Sequence, residues 1–369
     1  MTPEQKPATF TFGELKLIAS SFEIPGTVER VNIYGSGHIN DTFAVETKYN
    51  GGIKKYILQR INTDVFRKPV LVMENIKLVL DKLHEKILQR GGHPERESLT
   101  LVSTGDGKHY TVNENGTWRI YFFIENARTY DFVKNDEHGR HIAFEAARAF
   151  GDFQKMLADL PGDSLHETIP FFHHTPKRFE QLLEAIDINY QNRKEKCRSE
   201  ISFAIERKEI CPVIINLIES GTIPVRPGHN DTKINNVLFD TSVKPEKAKV
   251  IIDLDTLMPG TSLYDFGDMV RTTTCPAAED EKDLTKVTVD QTLYKRLEEG
   301  FLSAVGDILT EAEKEHLAFS GKLITYNQGL RFLADYLRGD TYYKTSYPDH
   351  NLIRTRTQFK MLEEMERVF

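Results

Sequence analysis

The sequence is poor in cysteine, has a single tryptophan and lacks long apolar runs, and these shortages exclude several classes of protein. Its cysteines, Cys197, Cys211 and Cys275, are odd in number, far apart and outside any C-x-x-C pair or Cys/His cluster. Neither a disulfide framework nor a structural zinc site is predicted, and a reducing, cytoplasmic location is expected. No segment approaches the roughly 18 apolar residues of a membrane span, and the polar first residues do not resemble a secretory signal.

Charge and length narrow the possible functions further. The 48 Lys and Arg residues against 55 Asp and Glu residues give a net charge of −7, which argues against a general nucleic-acid binder, since such proteins carry a basic face. Membrane partners are not expected either, whereas small phosphate-bearing ligands need only local donors and a metal ion. A chain of 369 residues with 39% apolar residues predicts two domains or one large two-lobed unit.

The first third of the chain has the pattern of a β-rich region. Residues 31–62 contain apolar alternation, a glycine-rich break at 35–37 and an Asn50-Gly51-Gly52 hairpin turn. Residues 68–89 repeat apolar side chains at three- and four-residue steps, which predicts an amphipathic helix. Two further strands are predicted around 100–103 and 118–124.

Beyond residue 126 the pattern becomes helical. Apolar periodicity predicts helices around 143–157, 178–207, 323–338 and 352–368, with a clear apolar strand at 250–253. The sequence therefore predicts an α+β protein with a small β-rich N-terminal lobe, residues 1–124, and a larger, mainly helical C-terminal lobe, residues 125–369. It contains no evident internal repeat or low-complexity linker.

The strongest chemical signal is the segment 228–238, which reads G-H-N-D-T-K-I-N-N-V-L. It fits H-x-D-x-x-x-x-N, the spacing of the catalytic loop of kinases. In such a loop Asp231 can accept the proton of a substrate hydroxyl, and Asn236 can hold a metal ion. Lys233 can place a positive charge beside the moving phosphoryl group. For His229 we favour bracing of the loop over proton transfer, because Asp231 is already placed as base.

A second acidic position follows the catalytic loop. The apolar strand predicted at 250–253 ends in Asp253, and a carboxylate fixed at a strand end suits Mg²⁺, which prefers oxygen ligands. If the strand persists, Asp255 shares a face with Asp253 and can bridge to the metal through water. Either motif alone is most often a surface turn or a strand end, but the two together favour a kinase.

A glycine-rich turn upstream, Gly35-Ser36-Gly37-His38 with Asn40, lies between two strand-like segments. Backbone amides in such a turn can approach phosphate oxygens closely because glycine has no Cβ. A plain hairpin is the alternative, since G-x-G alone is a weak signal. The position far upstream of the catalytic loop favours a nucleotide-binding loop.

Further nucleotide contacts are expected from the strand at 56–60, from the next helix and from the end of the last strand. The strand should carry a cation for the α- and β-phosphates, and it offers Gln59 and Arg60, whose facing depends on register. Glu74, near the start of the helix, is the candidate partner of that cation. The backbone near Glu125 can contact an adenine edge. A solvated helix position for Glu74 and a core strand without a ligand stay open as alternatives.

The segment Tyr264-Asp265-Phe266-Gly267-Asp268 contains the letters D-F-G. Asp253 already fills the place of the metal-binding aspartate, so these letters alone do not identify another metal ligand. We expect Asp265 to hydrogen-bond the backbone of the catalytic loop instead.

Together these segments resemble the aminoglycoside phosphotransferase/choline kinase superfamily. The resemblance rests on H-N-D-T-K-I-N-N-V-L-F-D at 229–240, I-I-D-L-D-T-L-M-P-G at 251–260 and Y-D-F-G-D at 264–268. Within the superfamily the sequence is most similar to the N-acetylhexosamine 1-kinase group, through segments at 35–43, 56–62, 121–127, 172–179 and 329–340. The likeness spans nearly the whole chain, in order.

The resemblance implies a protein-kinase-like fold and the ATP- and Mg²⁺-dependent phosphorylation of the anomeric hydroxyl of N-acetylglucosamine or N-acetylgalactosamine. The products would be the sugar 1-phosphate and ADP. It also implies that Asp231 is the catalytic base, that Asn236 and Asp253 hold Mg²⁺ and that residues 35–40 form the phosphate loop. The strand lysine of the family is missing at 59–60.

A neutral sugar requires hydrogen-bonding groups and an aromatic face, which the helical lobe offers. The substrate candidates are His173, His174, Arg178 and the segment Arg331–Tyr343, and for each residue taken singly an ordinary surface role is favoured over substrate contact. Two other functions stay open. A kinase acting on choline, an aminoglycoside or another small alcohol would favour an aromatic cage, and the single tryptophan, Trp118, lies in the first lobe. A nucleotide-binding pseudokinase would not need both a base and metal ligands.

Overall fold

The structure is a computed structural model that describes residues 10–35 and 39–369. The chain divides into two compact units, the first ending at Ala127 and the second comprising Arg128–Phe369. The boundary predicted from the sequence, between residues 124 and 125, lies close to this division. A five-stranded sheet lies in the first unit and the second unit is mainly helical, so the predicted α+β class is confirmed.

The described part of the first unit contains an antiparallel sheet with strand order β1-β2-β3-β5-β4. The strands are β1 (Thr27–Ile33), β2 (Asp41–Tyr49), β3 (Gly52–Ile61), β4 (Thr111–Asn113) and β5 (Gly116–Phe122). Asn50 and Gly51, with φ of 48° and 76°, form the tight turn predicted between β2 and β3. The strand predicted around 100–103 is wrong, because Leu101 makes a single bridge to Tyr121.

Three helices accompany the sheet in the described part of this unit: α1 (Phe12–Ala19), α2 (Pro69–Gln89) and α3 (Pro94–Glu97). A capping box between Thr11 and Glu14 starts α1, and proline in the first turn starts α2. The apolar stripe predicted on α2 is buried, which confirms that helix. A core cluster that includes Leu15, Leu58 and Trp118 joins α1 to one face of the sheet.

The second unit is built mainly from helices. They are α4 (Glu137–Met156), α5 (Thr175–Ile188), α6 (Arg198–Glu206), α7 (Val213–Glu219), α8 (Ser262–Thr273), α9 (Gln291–Val305), α10 (Glu311–Glu315), α11 (Leu317–Arg338) and α12 (His350–Val368). Two small sheets contain β6 (Ala127–Arg128), β8 (Val237–Asp240) and β9 (Lys247–Ile251) in the order β6-β8-β9, and β7 (Arg226–Gly228) paired with β10 (Met258–Gly260). The catalytic-loop motif lies between β7 and β8.

Two predicted elements are shorter than expected. The helix predicted over 178–207 is interrupted at Asn189, Gln191 and Asn192, whose φ angles are positive, and a 3₁₀ segment separates α5 from α6. Asn tolerates the left-handed region, so these residues end α5 at low cost. The strand predicted over 250–253 ends at Ile251, before Asp253.

Helix α8 crosses the core of the second unit, where it supports the catalytic loop. Phe266 and Val270 are fully buried in a cluster that also contains Phe150 and Phe301. Burial of each such aromatic ring stabilises the fold by about 2 kcal/mol. A Cβ on Gly267 would lie 2.4 Å from the carbonyl oxygen of Ser320 on α11, so glycine is required for this close helix crossing.

Candidate active site

The catalytic loop is braced from inside by His229, which is fully buried. Its Nε2 donates to the carbonyl oxygen of Ile252 at 3.0 Å, and its Nδ1 accepts from the backbone N–H of Asp231 at 3.3 Å. A neutral imidazole satisfies both bonds at once. The interpretation of His229 as a brace rather than a proton carrier is therefore confirmed in geometry.

Asp265, at the start of α8, holds the loop from the other side. Its carboxylate accepts from the backbone N–H groups of His229 at 3.1 Å and Asn230 at 2.7 Å, and from the side-chain amide of Gln154 at 2.6 Å. Burial raises the pKa of Asp265, and these donors oppose that rise. The predicted backbone role of Asp265 is confirmed.

Asn230 and Thr232 give the loop its shape. Asn230 has a φ of 62°, and its side-chain amide donates to the carbonyl oxygens of Gly228 and Thr256, both at 3.0 Å. Thr232 N–H donates to the carboxylate of Asp268 at 2.9 Å. Asp265 and Asp268, three residues apart on α8, thus bind successive parts of the loop, so the Y-D-F-G-D segment serves as its support.

Asp231 and Lys233 form an ion pair with 3.0 Å between the Lys233 Nζ and the Asp231 Oδ2. Burial alone would raise the pKa of Asp231, but the ammonium group of Lys233 outweighs it, so the pKa lies below its ordinary value. The charge of Asp231 likewise raises the pKa of Lys233. At neutral pH Asp231 is therefore a carboxylate that can accept a proton.

The side chain of Asn236 lies against Asp231, and its amide nitrogen faces that residue. The Nδ2 donates to the main-chain carbonyl of Asp231 at 2.8 Å and to its carboxylate at 3.2 Å. The backbone carbonyl of Asn236 accepts from Ile252 N–H at 2.9 Å, which brings the next residue, Asp253, to the same place. The three predicted residues Asp231, Asn236 and Asp253 are thus brought together.

Asp253 has a left-handed backbone, with φ of 61°, and does not continue the strand. Loss of hydration, together with the negative charges of Asp231 and Asp255, raises the pKa of Asp253 to about 6, although its side chain keeps access to solvent. Asp255 is 2% exposed and lies in a 3₁₀ turn. The expectation that Asp253 and Asp255 share a strand face is wrong because the strand has ended.

The side-chain oxygen atoms of Asn236 and Asp253 fit a Mg²⁺ ion. The Oδ1 of Asn236 and the carboxylate of Asp253 accept no hydrogen bond from the described residues. Amide and carboxylate oxygens are the ligands this ion prefers, and its charge would offset the repulsion between Asp253 and Asp231. Within residues 10–35 and 39–369, no group of three or more His, Cys, Asp and Glu side chains is placed to hold a metal ion, so Asn236 and Asp253 are two ligands and do not form a complete protein cage.

The glycine-rich turn is described in part. Ser36, Gly37 and His38 lie outside the described residues, whereas Gly35 has a φ of 75° that favours glycine. The Oδ1 of Asn40 accepts from Asn62 N–H at 3.0 Å, so this side chain anchors the turn to the end of β3. The role of residues 35–40 as a phosphate loop stays a prediction.

The register of β3 sends Gln59 and Arg60 to opposite faces of the sheet. Arg60 forms an ion pair with Asp41 at 2.6 Å. The Oε1 of Gln59 accepts from the guanidinium group of Arg119 on β5 at 2.9 Å, and Arg119 also contacts Met73 on α2 at 3.9 Å. Sequence reasoning missed Arg119, whose position opposite Gln59 follows from strand pairing alone. Nucleotide contact by Arg60 stays a prediction.

The two glutamates predicted to serve the nucleotide are both exposed. Glu74 lies on the first turns of α2, and Glu125 follows β5, with its carboxylate 3.8 Å from the ammonium group of Lys55. The pairing of Glu74 with a strand cation and the adenine contact near Glu125 stay predictions. Neither position contradicts them.

The candidate substrate residues of the second unit begin next to the catalytic loop. His173 is 8% exposed, and its Nε2 donates to the carbonyl oxygen of Asn230 at 3.0 Å. Burial lowers the pKa of His173 to about 3, so the ring is neutral. Its neighbour Phe172 lies 4.7 Å from the guanidinium carbon of Arg331. His174 instead caps α5 and accepts from Lys177 N–H.

Arg331 lies among aromatic rings near a second guanidinium group. The ring centres of Tyr343 and Tyr342 are 5.6 Å and 5.9 Å from its guanidinium carbon. Burial and the charge of Arg331 lower the pKa of Arg178 to about 10. In the described chain neither arginine forms an ion pair with a carboxylate. His173, Arg331 and Tyr343 are thus brought together as predicted, although substrate contact stays a prediction.

The sequence and the fold were compared with those of known proteins. A family model, described as a phosphotransferase enzyme family, matches residues 30–299. The chain belongs to this family. The superfamily to which its motifs were assigned is therefore confirmed, and the chain is a phosphotransferase.

Solved structures show the fold of the phosphotransferase in distant relatives. An aminoglycoside phosphotransferase from Alicyclobacillus acidocaldarius is 13% identical with a TM-score of 0.62, covering 99% of this chain and 98% of that one. A spectinomycin phosphotransferase bound to ADP and spectinomycin is 12% identical with a TM-score of 0.60 over 98% and 100%. A choline kinase from Cryptosporidium parvum is 15% identical with a TM-score of 0.51 over 92% and 89%. The predicted kinase-like fold is confirmed.

No helix in the described part of the phosphotransferase combines the length and apolar character needed to cross a bilayer.

Proposed function

We propose that this phosphotransferase transfers the γ-phosphoryl group of ATP to the anomeric hydroxyl of an N-acetylhexosamine, N-acetylglucosamine or N-acetylgalactosamine. The carboxylate of Asp231 takes the proton of the 1-hydroxyl group. The sugar oxygen forms a bond to the γ-phosphorus as the bond from that phosphorus to the leaving oxygen of ADP breaks. The products are the sugar 1-phosphate and ADP.

The ion pair of Asp231 and Lys233 supports this assignment of roles. With a lowered pKa, Asp231 is ionised at neutral pH and serves to orient the hydroxyl group and accept its proton late in the transfer. Lys233, 3.0 Å away, supplies a fixed positive charge where negative charge develops on the moving phosphoryl group. Asn236 keeps Asp231 in place through two hydrogen bonds.

Asn236 and Asp253 would hold Mg²⁺, which neutralises the phosphate oxygens and aligns them for transfer. The amide nitrogen of Asn236 is used on Asp231, which leaves the amide oxygen for the ion. Asp253 lies beside two other carboxylates, and the positive charge of Lys233 only partly offsets their repulsion, since the pKa of Asp253 is raised. Asp255, predicted as a further ligand, is buried, so we assign it the weaker role of adding negative charge near the ion.

The charge around Arg331 supports a neutral acceptor. Arg178 and Arg331 lie close enough for the charge of one to depress the pKa of the other, and both form hydrogen bonds to neutral oxygens instead of ion pairs. Two guanidinium groups repel the ammonium groups of choline or an aminoglycoside. They donate well to the carbonyl and hydroxyl oxygens of an N-acetyl sugar, while Phe172 and Tyr343 offer ring faces.

The decisive experiment measures acceptor-dependent ADP release with a panel of N-acetylhexosamines, hexoses, choline, ethanolamine and aminoglycosides. We expect the highest kcat/KM with N-acetylglucosamine or N-acetylgalactosamine, and a phosphorus NMR signal of a sugar 1-phosphate. The methyl glycoside of the same sugar, which lacks the anomeric hydroxyl, is the matched control and should not be phosphorylated. Turnover of the methyl glycoside would contradict the site of phosphorylation, and preference for choline or an aminoglycoside would contradict the substrate class.

A pseudokinase is the remaining alternative. It predicts binding of Mg²⁺ and ATP with no increase of ADP release by any acceptor. The Asp231→Asn variant separates the two functions, because it preserves size and hydrogen bonding but removes the base. We expect acceptor-dependent ADP release to fall by about a thousandfold with an unchanged circular dichroism spectrum.

A further inference from the structure

The segment that follows α11 is held by one buried carboxylate. Asp335 accepts from three consecutive backbone N–H groups, those of Thr341 at 2.9 Å, Tyr342 at 2.8 Å and Tyr343 at 3.0 Å. The side-chain amide of Asn351 on α12 donates to the same carboxylate at 2.9 Å. The chain reverses direction before these residues through Gly339 and Asp340, which have φ of 95° and 59°.

A carboxylate suits position 335 because all of its partners there are hydrogen-bond donors. Asp335 is 5% exposed and forms no ion pair within the described residues, so its charge is compensated by four amide donors and, at 3.4 Å, by the hydroxyl group of Thr341. An ionised carboxylate is acceptor-only, with room for several donors. An asparagine at this position would turn an NH₂ group toward at least one N–H donor, and a buried donor without an acceptor is costly.

The anchored segment carries two of the three aromatic rings that lie near Arg331, the third being Phe172. Tyr342 and Tyr343 lie next to its guanidinium group, and Arg331 lies one helical turn before Asp335 on α11. The hydroxyl group of Tyr343 accepts from Gln328 at 3.3 Å, and Gln328 accepts from Arg331 at 2.9 Å. Helix α11 therefore supplies both the cation and the anchor for the rings beside it.

From this arrangement we propose that Asp335 is a positioning residue for acceptor specificity, acting through Tyr343 and Arg331 without touching the acceptor. The proposal rests on the proposed function insofar as Arg331 and Tyr343 contact the acceptor. If Asp335 fixes the spacing of these two side chains, its loss weakens acceptor binding while the base, the cation at Lys233 and the nucleotide contacts stay intact.

The test compares Asp335→Asn with Asp340→Asn, using whichever acceptor the wild type turns over best. Asp340 is the control because it shares the Asn351 amide, at 2.8 Å, but accepts none of the three backbone N–H groups, and Asn tolerates its left-handed backbone. Asp340 also pairs with Arg193, so its variant controls in addition for the loss of a charged contact in the same segment. For Asp335→Asn we expect the KM for the acceptor to rise by about tenfold or more, with kcat within about threefold and the KM for ATP within about twofold. Asp340→Asn should leave all three within about twofold.

A merely structural role gives a different result. Partial unfolding lowers the apparent kcat in proportion to the active fraction and leaves both KM values unchanged, so that outcome for Asp335→Asn would overturn the proposal. An acceptor KM that rises equally in Asp340→Asn would also overturn it. If Asp335→Asn does not accumulate as folded protein, Asn351→Ala removes one donor of the set and should raise the acceptor KM by a few-fold.

A second readout separates this proposal from the proposed function. Lys344, exposed and directly after Tyr343, is a trypsin site within the anchored segment. We expect Asp335→Asn to be cleaved after Lys344 at least about ten times faster than the wild type and Asp340→Asn. If no acceptor of the panel is phosphorylated, the proposed function fails, but the cleavage rates still test whether Asp335 anchors the segment. Equal rates for Asp335→Asn, Asp340→Asn and the wild type would refute the anchoring.

Discussion

The Nε2 of His229 donates to the carbonyl oxygen of Ile252 at 3.0 Å, so a buried ring ties the catalytic loop to the residue before Asp253. The same ring accepts from the backbone N–H of Asp231. The base and the carboxylate proposed to bind Mg²⁺ therefore depend on one side chain that contacts neither the acceptor nor the ion. These two hydrogen bonds give the histidine of the motif a role in positioning the loop.

We expect His229→Leu to lower kcat by about a hundredfold and to raise the Mg²⁺ concentration needed for half-maximal rate, because the residue before Asp253 loses one of its two hydrogen bonds to the loop and keeps only that from its N–H to Asn236. His229→Gln, whose amide nitrogen can reach the Ile252 carbonyl, is the matched variant and should recover a substantial part of both. Steady-state rates across a Mg²⁺ titration check this. Equal loss in the two variants would show that the hydrogen bond to Ile252 is not what matters.

We expect Lys233 to contribute to the rate of phosphoryl transfer and not to the binding of ATP. Lys233→Met should reduce kcat by about a hundredfold or more and change the KM for ATP by less than about threefold, since its charge is needed most in the transition state. Lys249→Met is the control, because Lys249 also pairs with an aspartate, Asp240, at 3.3 Å, away from the loop. Its kinetics should match the wild type. A rise in KM without a change in kcat for Lys233→Met would assign the lysine to ground-state binding.

The crossing of α8 and α11 should tolerate no side chain at Gly267. Gly267→Ala places a Cβ 2.4 Å from a backbone oxygen of Ser320, and we expect it to lower the free energy of unfolding by about 2 kcal/mol or more. Gly321→Ala, in the same crossing, meets the Val270 side chain at 2.8 Å, which can shift. Its cost should be smaller by about 1 kcal/mol. Urea denaturation measures both, and an equal cost would mean that the backbone contact relaxes freely.

The low pKa of the buried His173 ring predicts that the folded protein loses stability on mild acidification. Its pKa is near 6.5 in the unfolded chain and about 3 in the fold, so the unfolded state binds a proton first as the pH falls below 6.5. The charged groups that face it, Arg331, Arg178 and Arg271, all oppose protonation. Between pH 7 and pH 5.5 this group alone should reduce the free energy of unfolding by about 1 kcal/mol.

The variant His173→Asn, which can donate to Asn230 but does not titrate in this range, isolates the effect. Its free energy of unfolding should fall less than that of the wild type over the same interval, by about 1 kcal/mol. The comparison uses urea midpoints of the two proteins at each pH. Parallel pH profiles would contradict a buried, neutral His173.

Helix α2, the turn that follows β2 and the proximity of the loop residues were predictable because their signals are local. The apolar repeat on α2 and the tight turn at Asn50-Gly51 depend on neighbouring residues, and both were found as predicted. The spacing of Asp231 and Asn236 within one loop also encodes their proximity, which the hydrogen bonds between them confirm. Asp265 was correctly assigned to the backbone because another aspartate already filled the metal position.

What the sequence could not supply depends on register and on backbone conformation. Arg119 became visible only when β5 paired with β3 and placed it opposite Gln59. Asp253 was expected at a strand end, but its left-handed backbone ends that strand two residues earlier and takes Asp255 into a turn. Asp335 had no motif of its own, because its partners are main-chain groups that carry no sequence signal.

The left-handed backbone of Asp253 limits which side chains can replace it at the proposed Mg²⁺ site. Glutamate at this position would cost about 1 kcal/mol or more in backbone strain, whereas asparagine and glycine adopt the conformation readily. Libraries aimed at Mn²⁺ or Ca²⁺ use should therefore vary the residues around this position and keep aspartate or asparagine there.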